Sequence, residues 1–269
     1  MPLTVGVRAA PTGLVANAGT SFVVTRGQAS GPAVFIFSTE TGKIRGWNPN
    51  VQATESLVAA DRSKDGAVYK GLAIASTATG DWLYATDFHN GRVDMFNGSF
   101  QRVSAPGAFV DRDLPKGYAP FGIQNIGGAI FVTYAKQDEA RTDEVAGEGL
   151  GFVDMYDTSG KLLGHVAKGG HLNAPWGLAM APASFGRFGG DLLVGNFGDG
   201  KINAYKLQDG RFVFDGQLWT DNHPLVIDGL WALEFGNGAP NNGPTSTLFF
   251  TAGTDDEAHG LFGTITAAG

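Results

Sequence analysis

Five copies of one short pattern run through the chain, and a repeat of this kind leaves few folds open. The copies are APTGLVAN from Ala10, VYKGLAIA from Val68, APFGIQNI from Ala119, APWGLAMA from Ala174 and GLWALEFG from Gly229. Their central small residue falls at Gly13, Gly71, Gly122, Gly177 and Ala232, spaced 58, 51, 55 and 55 residues apart. A second element follows each: SFVVTRG from Ser21, DWLYATDF from Asp81, AIFVTYAK from Ala129, DLLVGNFG from Asp191 and TLFFTAGT from Thr247. A third comes next: GKIRGW, GRVDMF, GFVDMY, GKINAY and GLFGTI, from Gly42, Gly91, Gly151, Gly200 and Gly260. A weaker fourth closes several units as ESLVAA, SFQRVS, KLLGHVA and FVFDGQLW.

Each run is short, apolar and bounded by Gly, Asn, Asp or Pro, which reads as a strand between turns. No segment sustains a 3.6-residue apolar period, so helices are not expected. Four strands per unit at this spacing are the blades of a β-propeller. A sandwich of about twenty strands would leave the periodicity without a reason. The reading is one domain over 1–269, with repeats near 9–60, 61–104, 105–167, 168–219 and 220–269 plus 1–8. The last unit lacks a fourth strand, and LTVGVR, from Leu3 to Arg8, stands ahead of the first. Propellers close by letting one terminus complete the other's blade, which removes an open edge. The expectation is therefore five four-stranded blades, with Leu3 to Arg8 as the outer strand of the fifth.

Composition narrows the function. Hydrophobic residues at 43% supply a core, while 41 glycines supply turns. A net charge of -7 offers no general basic surface, so nucleic acid is not an expected partner. With no cysteine there is no disulfide, thiolate metal site or cysteine nucleophile. No apolar run reaches the roughly 18 residues a membrane-spanning helix needs. MPLTVGVRAAPTG has no basic-then-apolar leader pattern, which implies a cytoplasmic chain if Met1 is the native start.

PWGLA followed by DLLVGNFGDGKINAY is similar to the NHL-type propeller repeat. YATDFHNGRVDMF, AKQDEARTDEVAGEGLGFVDMYD, NAPWGLAMAP and FTAGTDDEAHGLFG further resemble a bacterial family of NHL-like propellers without known function. Its members are mostly exported, and some carry a C-terminal sorting signal. The resemblance implies an extracellular or periplasmic setting. It also implies a six-bladed ring, of which this chain would hold five blades.

On one face of such a ring lie the loops before the first strand and between the second and third strands. Function is read from that face, since the fold alone does not specify it. The loops after the second strand offer Asp87 and His89; Lys136, Gln137 and Asp138; Asn196 and Asp199; and Asp255, Asp256, Glu257 and His259. The loops before the first strand add Tyr69, Lys70, Tyr118, Asn173 and Asp228. His89 and His259 fall in corresponding loops and His171 precedes NAPWG, so convergence of the three would suit a zinc, copper or iron ion. TDDEAHG together with FGDGK offers oxygen donors for calcium, although no EF-hand loop is present. Paired carboxylates on this face, with Asp87 or Asp255 as members, would be needed for glycoside hydrolysis.

KQDEARTDEVAGEGL, from Lys136 to Leu150, is the longest polar insertion and reads as a lid or partner contact. SGPAVFIFSTET reads as a lengthened structural hairpin. Neither a nucleophile elbow, a P-loop nor a dinucleotide fingerprint is present. The leading reading is a binding or scaffold module for a protein, glycan or small molecule. The alternatives are a metal-dependent hydrolase or lyase at the channel mouth, and a truncated or engineered propeller of mainly structural interest. NAPWGLAMAP itself reads as a blade joint, with Trp176 packed between blades.

Overall fold

The small residue of each repeat sits where the first strand of its unit is bulged against the second, so the strand starts twice in register. In four units the strand opposite supplies a hydroxyl that accepts the freed N–H. Gly13 donates to Ser38 Oγ (2.9 Å), Gly71 to Thr86 Oγ1 (2.6 Å), Gly122 to Thr133 Oγ1 (2.8 Å) and Ala232 to Thr251 Oγ1 (3.2 Å). A buried backbone donor left unpaired would be costly, which explains the recurring Ser or Thr. Blade four places Gly195 opposite Gly177 instead.

The computed structural model describes residues 4–8 and 10–267 and shows an all-β, five-bladed β-propeller. Blade one contains β1 (Pro11–Ala16), β2 (Val23–Arg26), β3 (Ala29–Pro32), β4 (Phe35–Thr39), β5 (Lys43–Trp47) and β6 (Leu57–Asp61). Blade two is β7 (Tyr69–Thr77), β8 (Gly80–Asp87), β9 (Arg92–Asn97) and β10 (Arg102–Val103). Blade three is β11 (Tyr118–Ile126), β12 (Ala129–Lys136), β13 (Phe152–Tyr156) and β14 (Leu162–Lys168). Blade four is β15 (Pro175–Met180), β16 (Leu192–Asn196), β17 (Ile202–Gln208) and β18 (Arg211–Gln217). Blade five is β19 (Leu230–Phe235), β20 (Thr247–Thr254) and β21 (His259–Thr266). All ladders are antiparallel and run in chain order, apart from β2 and β3, which pair only with each other.

That exception corrects one expectation. SFVVTRG is not the second strand of blade one; it belongs to the inserted hairpin, and FIFST within SGPAVFIFSTET is the blade strand. Phe22 and Val24 of the hairpin are buried against Phe100, Ile44 and Ala33, so an apolar alternation meant for a cover imitated a blade strand.

Four apolar cores fill the junctions between consecutive blades. The inner strands approach so closely that a Cβ on Gly71 would lie 2.8 Å from the Phe121 carbonyl oxygen, and one on Gly177 2.6 Å from that of Trp231. The junction between blades five and one is different. There β19 to β21 and β1 flank a cavity of about 330 Å³, lined by Pro11, Thr12, Glu40, Trp231, Glu257 and His259 among others. Leu14 on blade one is 57% exposed and Phe262 on blade five 69%, so this junction has no dry core around them.

Among the described residues, the N-terminal segment pairs with blade one and not with blade five. Leu3 lies outside the described residues, and residues 4–8 run along the outer margin of blade one. The Gly6 N–H donates to the Thr54 carbonyl (2.7 Å), the Ser56 N–H to that of Gly6 (3.0 Å), and Arg8 pairs with Glu55 (2.9 Å). Among the described residues, blade five has three strands, with β21 as its edge. Among the described residues, no helix is long and apolar enough to cross a membrane.

Candidate functional site

One residue stands just before each bulge: Thr12, Lys70, Phe121, Trp176 and Trp231 in blades one to five. Because the bulge breaks the alternation there, these side chains come together at the axis instead of filling the blade junctions. Phe121 and Trp176 meet edge to face with ring centres 4.6 Å apart, and Trp176 meets Trp231 at 4.7 Å. Phe88 and Phe197, each directly after the second strand of its blade, complete the cluster. Trp176 thus packs on the neighbouring blades' aromatics across the channel, and the expected joint residue is also part of the site floor.

Above this floor lies a cavity of about 290 Å³, lined by Lys70, Phe121, Asp143, Glu144, Phe197, Trp231, Asp256 and Glu257. Lys70 is 3% exposed, and its ammonium pairs with Glu40 from the β4–β5 turn and with Asp143 Oδ1 at 3.0 Å. Burial pulls the Lys70 ammonium down, but the bonds and charges of Glu40 and Asp143 outweigh it and the net shift is upward. Burial pushes the Glu144 carboxyl up. The exposed Glu257 carboxyl also rises, through partial desolvation and the charges of Glu40 and Asp143, with Lys70 opposing. Two carboxylates therefore pair with the one ammonium, and three more, Glu144, Asp256 and Glu257, belong to residues lining the same cavity.

The long loop after β12 delivers two of them. Its first turn is tied by the Asp138 N–H to the Asp143 carbonyl (2.8 Å) and by Asp138 Oδ1 accepting from the Thr142 N–H (2.9 Å). Its far end is held where Asn173 Oδ1 accepts from the Gly147 N–H at 2.6 Å. The insertion expected to be a lid or partner contact thus supplies Asp143 and Glu144 to the lining of this cavity.

Of the residues expected at a site, Lys70, Asp256 and Glu257 reach this cavity. Asp87 is fully buried and serves its own turn, accepting from the Val68 and Asn90 N–H groups and pairing with Arg92 at 3.3 Å. Asn196 donates to the His171 carbonyl and to Asp199, and Asp199 pairs with Lys201 at 3.1 Å. Gln137 bridges to the Phe88 carbonyl at 2.6 Å, Lys136 is exposed at the end of β12, and Asp228 accepts from the Asp255 N–H.

The three histidines do not gather. His89 lies beside Gly66, His171 stacks on Phe214 of outer strand β18 at 4.2 Å, and His259 stands 3.9 Å from Asp255. Among the described residues, neither these histidines nor the carboxylates of TDDEAHG and FGDGK bring three ligand atoms within 4.8 Å of one another. The structure therefore does not gather these residues into the expected histidine centre: His89, His171 and His259 lie apart, and Asp199 pairs with Lys201. Glu40, Asp143, Glu144, Phe121, Phe197 and Trp231 escaped the sequence reading. The position before the bulge and the matching Phe88 and Phe197 were the signals that carried them.

These features define a class, a β-propeller with a small acidic pocket above an aromatic plug at its channel mouth. The chain belongs to the same family as an uncharacterized protein of Acanthamoeba polyphaga mimivirus, with which it is 34% identical over 263 residues, 95% of this chain and 67% of that protein. A second uncharacterized mimivirus protein is 33% identical over 262 residues, and the chain spans 62% of its length. A third is 31% identical over 240 residues, of which the match covers 42%. These relatives are viral, where the sequence motifs pointed to bacteria. No family model matches the chain. Among solved structures, a gluconolactonase from Xanthomonas campestris superposes with a TM-score of 0.54 at 18% identity, over 87% of this chain and 72% of that one. That likeness shows the propeller fold.

Proposed function

We propose that the protein is a binding module that holds a compact organic cation at the mouth of its central channel. The observation that carries this reading is a cavity lined by four acidic residues and one lysine that Glu40 and Asp143 already pair, beside Phe121, Phe197 and Trp231. A cation with an apolar body gains from ring faces and from the uncompensated carboxylates together. A cavity of about 290 Å³ suits a small molecule better than a glycan chain or a folded partner. Because Glu144 and Glu257 titrate above the ordinary carboxylate range, affinity should begin to fall at a higher pH than free glutamates would dictate. Calorimetric titration with tetramethylammonium tests the proposal. Binding should weaken about tenfold in Glu257→Gln and in Trp231→Ala, the loss of roughly 1.4 kcal/mol of charge and ring contact. No heat of binding, or wild-type affinity retained in both variants, would sink it.

A second reading follows from the solved neighbour, a gluconolactonase. Here Glu257 is the general base and the Lys70 ammonium faces the oxyanion of an opening lactone. Acid release from gluconolactone, followed at constant pH and abolished in Glu257→Gln, would favour it over simple binding.

A further inference from the structure

One repeat position is handled differently in blade three. The third strands of blades one to four carry Arg45, Asp94, Asp154 and Asn203 at the same place, and all four are buried. In blade one Arg45 Nε donates to Ser56 Oγ at 2.9 Å. In blade two Asp94 is fully compensated, accepting from the Tyr69 hydroxyl (2.8 Å), Arg92 Nε (2.9 Å) and Arg102 Nε (2.7 Å). In blade four the position is neutral: Asn203 accepts from Gln217 at 3.0 Å and donates to the His171 carbonyl.

Blade three breaks the pattern by adding negative charge instead of removing it. Among the described residues Asp154 meets no arginine; its partners are His165 Nδ1 at 2.8 Å and the Tyr156 hydroxyl at 3.3 Å. Asp111, from the segment between β10 and β11, then brings in a second carboxylate whose side chain is 4% exposed. Its Oδ2 faces His165 Nδ1 at 3.9 Å, too far for a hydrogen bond. One ligand atom from each of Asp111, Asp154 and His165 lies within 4.8 Å of the others. Two buried carboxylates sharing one half-exposed imidazole are short of positive charge, and buried charge left unpaired is expensive. The same position in blade two shows what full compensation looks like in this molecule.

We infer that Asp111, Asp154 and His165 form a zinc-binding site at the junction of blades two and three. One imidazole nitrogen with carboxylate oxygens is a donor set that Zn²⁺ accepts. The surrounding groups fit that role. Asp113 Oδ2 lies 3.9 Å from His165 Nε2, on the far side of the ring from Nδ1, a carboxylate one short side-chain movement from accepting the N–H of a ligating imidazole. The Tyr156 hydroxyl, itself within 2.6 Å of that of Tyr134, steadies the Asp154 carboxylate. The exposed edge of His165 leaves a way in. The ion would tie the segment bearing Asp111 to β13 and β14, so it acts as an inter-blade clamp, apart from the channel mouth.

Metal-stripped protein titrated with Zn²⁺ should take up one ion at this site and melt at a higher temperature with it bound. Asp111→Asn and His165→Ala should each weaken uptake at least about tenfold, and Asp113→Asn about tenfold. Asp111→Asn changes a loop residue and guards against a folding defect, and circular dichroism verifies each variant. Co²⁺ in place of zinc should give a visible spectrum that His165→Ala alters. No Zn²⁺ uptake, or uptake unchanged in both Asp111→Asn and His165→Ala, overturns the site and leaves a plain ion-paired cluster.

Discussion

At the scale of single residues, the small position of the inner strand reports how tightly each blade meets the next. A Cβ on Gly122 would run into the Trp176 carbonyl, whereas Ala232 already carries one and is exposed. The alanine is tolerated because the next element in the ring does not press on it. Gly122→Ala is expected to cost about 1–3 kcal/mol of overpacking, measured by urea unfolding. Ala232→Val should stay within about 0.5 kcal/mol in the same assay, as an exposed substitution does. Equal costs at the two positions would mean that the fifth junction is packed like the others. The glycine series was legible in the sequence because close backbone approach admits few residues. The neighbouring Phe121, Trp176 and Trp231 were visible as aromatics but not as a cluster, since their partners lie a full repeat away.

At the scale of elements, most strands announced themselves through turn residues and short apolar runs, while two inserted pieces did not. The β2–β3 hairpin satisfies its own ladder and buries Phe22 and Val24, so its local pattern matched that of a blade strand. The loop after β12 is polar throughout, and nothing local distinguishes a disordered loop from one tied down at a distance. Its anchor is Asn173, at the start of the next repeat, through the Gly147 N–H. Asn173→Ala should raise deuterium uptake across residues 144–150 and leave β11 and β12 unchanged. Unchanged uptake there would show that the loop is held by other contacts.

At the scale of the whole molecule, four junctions have dry cores and the fifth has a cavity, so stability is distributed unevenly round the ring. β21, an edge strand with exposed Leu261 and Phe262, is expected to exchange its amides before β7, β11 and β15. Exchange of β21 as slow as that of the inner strands would contradict this ordering. The sequence by itself determined the class of fold, the number of blades and the place of the small inner-strand residues, because these follow from local period, turn chemistry and close packing. Only the tertiary structure decided which repeat positions became a site. Lys70 is drawn among carboxylates from blade one and from the loop of blade three, and Asp154 meets Asp111 across a blade junction. Charge balance in a buried space depends on groups far apart in the chain, and the repeat pattern carries no record of which of them meet.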